Sequence, residues 1–207
     1  MNLISFAIAI AKRDAFIHMH MYTHIYKFSS YVVSFSFPNE KYVMSKKPSV
    51  GRGKFFLKIN YVKTGTIPQE LSTSTLLSRF DLGENFMHGT IPNSFGESWR
   101  AGMLSFSIDD NAFSGTLPDS ISLWRQMTWL QVDTNALTGT VPLSYRSLRD
   151  LLWASFDENQ LTGTLDPMFC PNSGGDKPLF LIADCGGTDP EIICSCCSTT
   201  LECRSGA

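Results

Sequence analysis

The sequence predicts an α/β repeat: a solenoid with a parallel sheet of short strands on its concave side and 3₁₀ turns and loops on its convex side. Three observations predict it. The phrase Gly65-Thr66-Ile67-Pro68 recurs as Gly89-Thr90-Ile91-Pro92, Gly115-Thr116-Leu117-Pro118 and Gly139-Thr140-Val141-Pro142, then in degraded form as Gly163-Thr164-Leu165-Asp166, at steps of 24, 26, 24 and 24 residues. Nine and seven residues before each of the last four glycines stands an apolar pair separated by one polar residue. Four residues before each of those glycines stands an asparagine.

Residues 1–53 lie ahead of this pattern and show no settled periodicity, so they are expected to be disordered or otherwise unreliable as a folded unit. Residues 1–63 hold ten Lys/Arg against two Asp/Glu, whereas residues 64–207 hold seven against seventeen. Segments of opposite sign suggest separate histories. Leu3 to Ala11 is an apolar run, too short to span a bilayer. It has Lys12 and Arg13 behind it, where a secretory signal carries its charge in front, although Ala9-Ile10-Ala11 imitates a cleavage site. His18, His20 and His24 sit among Met, Tyr, Thr and Ile, the residues that alternating simple-sequence DNA encodes. The expectation is that roughly residues 1–50 are in part a gene-model artefact with the true start elsewhere; metal binding by the three histidines is the alternative.

Residues 54–170 are expected to form the solenoid. Before Gly89 the frame reads Leu77, Phe80, Leu82, Asn85 and Met87. Before Gly115 it reads Met103, Phe106, Ile108, Asn111 and Phe113. Before Gly139 it reads Met127, Leu130, Val132, Asn135 and Leu137, and before Gly163 Leu151, Ala154, Phe156, Asn159 and Leu161. Alternation at the apolar pair is the mark of a strand with one buried face. After it the chain bends, and buried backbone groups in the bend need partners. An amide side chain offers both donor and acceptor, so Asn85, Asn111, Asn135 and Asn159 are expected to form a ladder tying each bend to the next. The two extra residues of the 26-residue step are placed near Ser98 to Gly102, on the return side.

This frame resembles the plant-type leucine-rich repeat, with four good copies from about residue 76 to 170. A degenerate copy precedes them, in which Phe56 fits but Lys58, Tyr61 and Lys63 do not. A last copy is read with Phe180 and Ile182 as strand residues and Cys185 in place of Asn. The resemblance implies a right-handed solenoid and a role in recognition, as a receptor-like ectodomain or a secreted binder.

Residues 171–207 are expected to cap the solenoid, whose terminal coil would otherwise expose an apolar edge. Cys170, Cys185, Cys194, Cys196, Cys197 and Cys203 are the six cysteines of the chain. An even set in one short tail reads as disulfides in an oxidising, extracellular or cell-surface setting. Zinc is the alternative, but paired Cys-x2-Cys knuckles are absent. Six cysteines allow fifteen connectivities, and the adjacent Cys196 and Cys197 are poor partners for each other. The stretch from Ala183 through Cys197 looks like the terminal cap of leucine-rich-repeat proteins from unicellular algae.

The outward strand positions form columns. At minus ten from the glycines stand Arg79, Ser105, Trp129 and Trp153. At minus eight stand Asp81, Ser107, Gln131 and Ser155; at minus six Gly83, Asp109, Asp133 and Asp157; at minus five Glu84, Asp110, Thr134 and Glu158. Neighbouring exposed tryptophans are anchors of interfaces and of sugar stacking. A file of carboxylates repels itself unless a cation or basic partner faces it. Trp129, Trp153, Arg79, Asp109, Asp133, Asp157 and Glu158 are therefore the expected contacts to a protein ligand or a polysaccharide. The alternatives are tryptophans that merely cover a neighbouring coil and carboxylates that are merely solvated. The threonines of the Gly-Thr steps, Thr66 to Thr164, form a further column, of the kind found on flat ice-binding surfaces.

No enzyme is expected. His88 is the one histidine of the repeats and lacks a Ser or Cys partner at the spacing of a nucleophilic triad. A ladder of equivalent carboxylates does not separate an acid from a base. No cofactor and no metal are implied, an acidic solenoid resists nucleic acid, and a membrane association is expected only if the true gene model adds an anchor.

Overall fold

The structure, a computed structural model, describes residues 64–197 except 68, 74, 76, 172–177 and 189, together with strands at 22–23, 32–37, 40–46, 55–60 and 203–205. The expectations attached to Leu3–Ala11 and to the histidines at 18, 20 and 24 lie outside the described residues. Within 1–53 the described elements are β1 (Tyr22–Thr23), β2 (Val32–Phe37) and β3 (Glu40–Lys46), which pair antiparallel in sequence. β3 in turn pairs antiparallel with β4 (Phe55–Asn60).

From β4 onward the sheet is parallel. β4 pairs with β5 (Leu77–Asp81), and the order continues through β7 (Ser105–Ser107), β9 (Trp129–Gln131), β11 (Trp153–Ser155), β13 (Phe180–Gly186) and β15 (Cys203–Ser205). A second parallel sheet follows the bend of each coil: β6 (His88–Gly89), β8 (Ala112–Gly115), β10 (Ala136–Thr140), β12 (Gln160–Thr164) and β14 (Ile192–Ile193). The chain returns through short helices: η1 (Gln69–Thr73), α1 (Ser94–Trp99), η2 (Asp119–Leu123), η3 (Leu143–Ser147) and α2 (Asp166–Phe169). The long 26-residue step is absorbed at α1 and the turn at 100–102, away from the strands. Close stacking of these returns requires Gly96, because a Cβ there would lie 2.2 Å from Ser120 Cβ and 2.3 Å from its carbonyl oxygen.

The apolar pairs stack into two continuous files. Phe80, Phe106, Leu130, Ala154 and Leu181 form one; Leu82, Ile108, Val132, Phe156 and Ala183 form the other; all are fully buried. Neither edge of one coil could be covered without the next, which is the source of cooperativity in a solenoid. Behind them Trp99 and Trp124 fill the space under the returns, stacked on each other at 5.9 Å. Their indole N–H groups donate to carbonyls of the preceding coil: Trp99 to Leu71 at 3.3 Å and Trp124 to Gly96 at 3.0 Å.

Asn111, Asn135 and Asn159 each clamp their bend to the coil before it. Asn111 Oδ1 accepts from the Met87 N–H at 2.8 Å while its Nδ2 donates to the Leu82, Ile108 and Asp109 carbonyls. Asn135 repeats this with the Phe113 N–H and the Ile108, Val132 and Asp133 carbonyls. Asn159 repeats it with the Leu137 N–H and the Val132, Phe156 and Asp157 carbonyls. Asn85 donates to Leu82 and Gly83.

Two expected registers are corrected at the ends. The first coil places Leu57, not Phe56, opposite Phe80, and its strand pairing is irregular between Phe55 and Phe56. In the last coil Ala154 pairs with Leu181, 27 positions on, and not with the expected Phe180. Leu181 and Ala183 therefore point inward and Phe180 and Ile182 outward. Gly186, rather than Cys185, occupies the place of the asparagine. A 24-residue period cannot reveal this, since the added residues precede the strand.

Candidate functional site on the concave face

The strand register turns the sequence columns into physical files. Arg79, Ser105, Trp129, Trp153 and Phe180 pair in succession across the sheet. Trp129 and Trp153 stack with ring centroids 4.7 Å apart and planes within 10°. Phe180 lies against the other side of Trp153 at 4.8 Å. Trp153 is thus covered on both faces, whereas Trp129 remains 37% exposed. The two tryptophans are brought together, but Trp129 carries the accessible surface. Phe180, 52% exposed, extends the aromatic strip. It was hidden from the sequence by the register error.

Trp129 is held in place from below. Its Nε1–H donates to Gln131 Oε1 at 2.6 Å, and the Ser107 side chain lies next to the same oxygen at 3.4 Å.

Beside the aromatics the carboxylates form a file of graded burial. Asp109 and Asp133 are partly exposed, Asp157 is 1% exposed, and Asp184 extends the file at 3%. Asp157 is therefore corrected from an outward contact to a buried group, because the next coil lies over it. The Ser107 hydroxyl donates to Asp109 and the Ser155 hydroxyl to Asp133. Gly83 leaves room for the file to end: a Cβ there would lie 2.8 Å from Asp109 Oδ1. Burial pushes the Asp133 carboxyl above its usual range; the Ser155 bond opposes this, and the charges of Asp157 and Asp109 add to it. Asp184 is raised for the same leading reason, against hydrogen bonds from the Asn159 and Glu158 backbone.

The flanking column has a backbone role that composition did not announce. Glu84, Asp110, Thr134 and Glu158 have φ of 57°, 50°, 52° and 52° respectively, all left-handed. Their N–H groups and those of the following asparagines donate to the coil ahead, as Thr134 does to the Asp157 carbonyl at 3.0 Å and Asn135 to the Glu158 carbonyl at 3.0 Å. Glu158 is exposed but points from the bend, not from the strand.

The cysteines pair as Cys170–Cys196, Cys185–Cys203 and Cys194–Cys197. The sulfurs of Cys170, Cys194 and Cys196 come within 4.8 Å of one another, yet in disulfides they are not the thiolates that zinc requires. Cys185–Cys203 joins β13 to β15 beside the position where the earlier coils use asparagine.

Four coils in phase, a parallel concave sheet, an asparagine ladder and short convex helices together make a solenoid fold of the leucine-rich-repeat type. No protein-family model matches the chain. Over 69 residues, 32% of its length, it is 36% identical to the leucine-rich repeat receptor protein kinase MSP1 of Oryza sativa subsp. japonica, and it spans only 5% of that protein. Among solved structures it is similar to the ectodomain of the receptor kinase SOBIR1 from Arabidopsis thaliana, at 19% identity over 66% of this chain and 74% of that one, with a TM-score of 0.49. It is also similar to the plant peptide hormone receptor RGFR1 in complex with RGF2, at 31% identity over 49% of this chain and 16% of that one, TM-score 0.47. A plant ice-binding protein shares the fold at a TM-score of 0.50, with 19% identity over 58% of this chain and 40% of that one.

Proposed function

We propose that the chain is a non-catalytic recognition module whose concave face binds an extended segment of a protein partner outside the cell. The observation that carries this reading is Trp129: an indole fixed by hydrogen bonding, stacked on one side and open on the other. Large exposed aromatics held in one rotamer are strong interface anchors because little entropy is lost on binding. Asp109 and Asp133 beside it favour a basic partner. Three disulfides suit an oxidising compartment. The sequence likeness to a receptor kinase supports a receptor-like role.

The test is capture of partners from plant extract by the immobilised chain, compared with Trp129→Ala and Asp109→Asn/Asp133→Asn variants of equal thermal stability. A protein retained by the parent and lost from both variants, with weaker retention in high salt, is expected. Equal retention by all three removes the concave face from consideration.

A second reading rests on a different surface. Thr66, Thr90, Thr116, Thr140 and Thr164 are all exposed, one per coil, along the second sheet. A regular hydroxyl array of this kind suits a structural role in binding wall polysaccharide or ice. Retention on insoluble polysaccharide or inhibition of ice recrystallisation, lost in Thr116→Lys/Thr140→Lys and kept in Trp129→Ala, would favour it.

A further inference from the structure

The outward file Arg79, Ser105, Trp129, Trp153, Phe180 is an aromatic ladder with one rung absent. Trp153 covers one face of Trp129. The opposite face looks back along the file toward Ser105, whose side chain is too short to cover it. Beyond Ser105 stands Arg79, exposed, on the next strand. We propose that this gap is a subsite for an aromatic side chain of an extended peptide, seated over Ser105 between the Trp129 indole and the Arg79 guanidinium. The proposal rests on the concave-face reading above and names what that face selects.

The dimensions suit one ring. Arg79 and Trp129 belong to strands two steps apart, and two steps span roughly 9 to 10 Å. An inserted ring therefore meets both walls at contact distance. One wall offers an offset stack on the indole, and the other offers a cation to the ring face. An aliphatic side chain gains neither. The Trp129 wall is already fixed, through Nε1 to Gln131 Oε1 at 2.6 Å, so the subsite is formed before the guest arrives.

A sugar ring is less well served. It needs several free polar groups around the platform. Here Gln131 Oε1 is occupied by the Trp129 N–H, and the Ser107 hydroxyl is engaged with Asp109. Asp109, partly exposed and four residues on from Ser105, instead matches a lysine or arginine a short distance from the aromatic residue in the same peptide.

The experiment titrates the peptide Gly-Gly-Tyr-Gly-Lys-Gly into the full chain and follows the Trp129 indole N–H resonance, identified by its loss in Trp129→Phe. The leucine analogue of the peptide and cellohexaose serve as comparisons. The tyrosine peptide is expected to shift that resonance and to bind about tenfold more tightly than the leucine analogue, the ratio that one ring stack supplies. Ser105→Trp, which fills the gap with the chain's own ring, is expected to keep the fold and abolish the shift. Equal binding of the two peptides, no shift with either, or a shift with cellohexaose alone overturns the proposal. The two readings fail differently. If Ser105→Trp still captures the partner and Trp129→Ala does not, the subsite is wrong and the face is right. If neither variant alters capture, the face itself is wrong.

Discussion

Asn135 reaches across a coil boundary: its Nδ2 donates to the carbonyl of Ile108, 27 residues earlier, at 3.0 Å. The same side chain accepts from the Phe113 N–H at 2.8 Å. One amide therefore satisfies backbone groups of two coils at once, and no other side chain of that size both donates twice and accepts.

Replacement of Asn135 by Leu is expected to orphan the Phe113 N–H and the carbonyls together, at a cost of about 3 kcal/mol or more. Asn135→Asp keeps the shape but turns a carboxylate toward three carbonyls, so it should be worse at neutral pH and recover in part on acidification, when the protonated group can donate again. Urea unfolding of both variants at two pH values checks this. A loss under about 1 kcal/mol in both would mean that the clamp contributes little.

Thr134 holds φ of +52°, a left-handed conformation unfavourable for a β-branched residue. Asn tolerates that region, so Thr134→Asn is expected to stabilise the chain by about 1 kcal/mol, raising Tm by roughly 3 °C. The exposed contact of its hydroxyl to Glu158 at 3.3 Å is lost, but such contacts are worth less than the strain relieved. Calorimetry of the single variant decides the sign.

Gly96 lies in α1, where alanine would ordinarily gain about 1 kcal/mol of helix propensity. The collision with Ser120 overrides it, because the obstructing atoms include backbone. Gly96→Ala is expected to cost at least about 2 kcal/mol net. Gly102, with nothing within 4 Å of an added Cβ, provides the control, and Gly102→Ala should leave the melting curve nearly unchanged.

Asp133 is raised above its usual value chiefly by burial. Between the unfolded value of 3.8 and the raised folded value, the native chain binds more protons than the unfolded one, so stability falls as pH rises through that window. The penalty is complete above the folded value and absent below 3.8. Asp133→Asn is therefore expected to raise Tm at neutral pH, with the advantage shrinking as pH falls toward about 4. Paired melts of parent and variant across that range measure it; an advantage that grows on acidification contradicts the assigned cause.

The sequence by itself determined the repeat, its phase, the two inner files from Phe80 to Phe156 and the position of every clamp asparagine. Those features recur at fixed spacing because each coil must present the same groups to its neighbour. The tertiary structure alone decided what depends on which coil lies next. It covered both faces of Trp153 and left one of Trp129 open, buried Asp157 beneath the last coil, and placed Trp99 and Trp124 in the core although they look no different in sequence from the tryptophans outside. It also moved the register at both ends, where Leu57 pairs opposite Phe80 and Leu181 takes the inward position. The physical reason is that burial and stacking belong to pairs of coils, and the terminal coils have irregular lengths that no internal period can report.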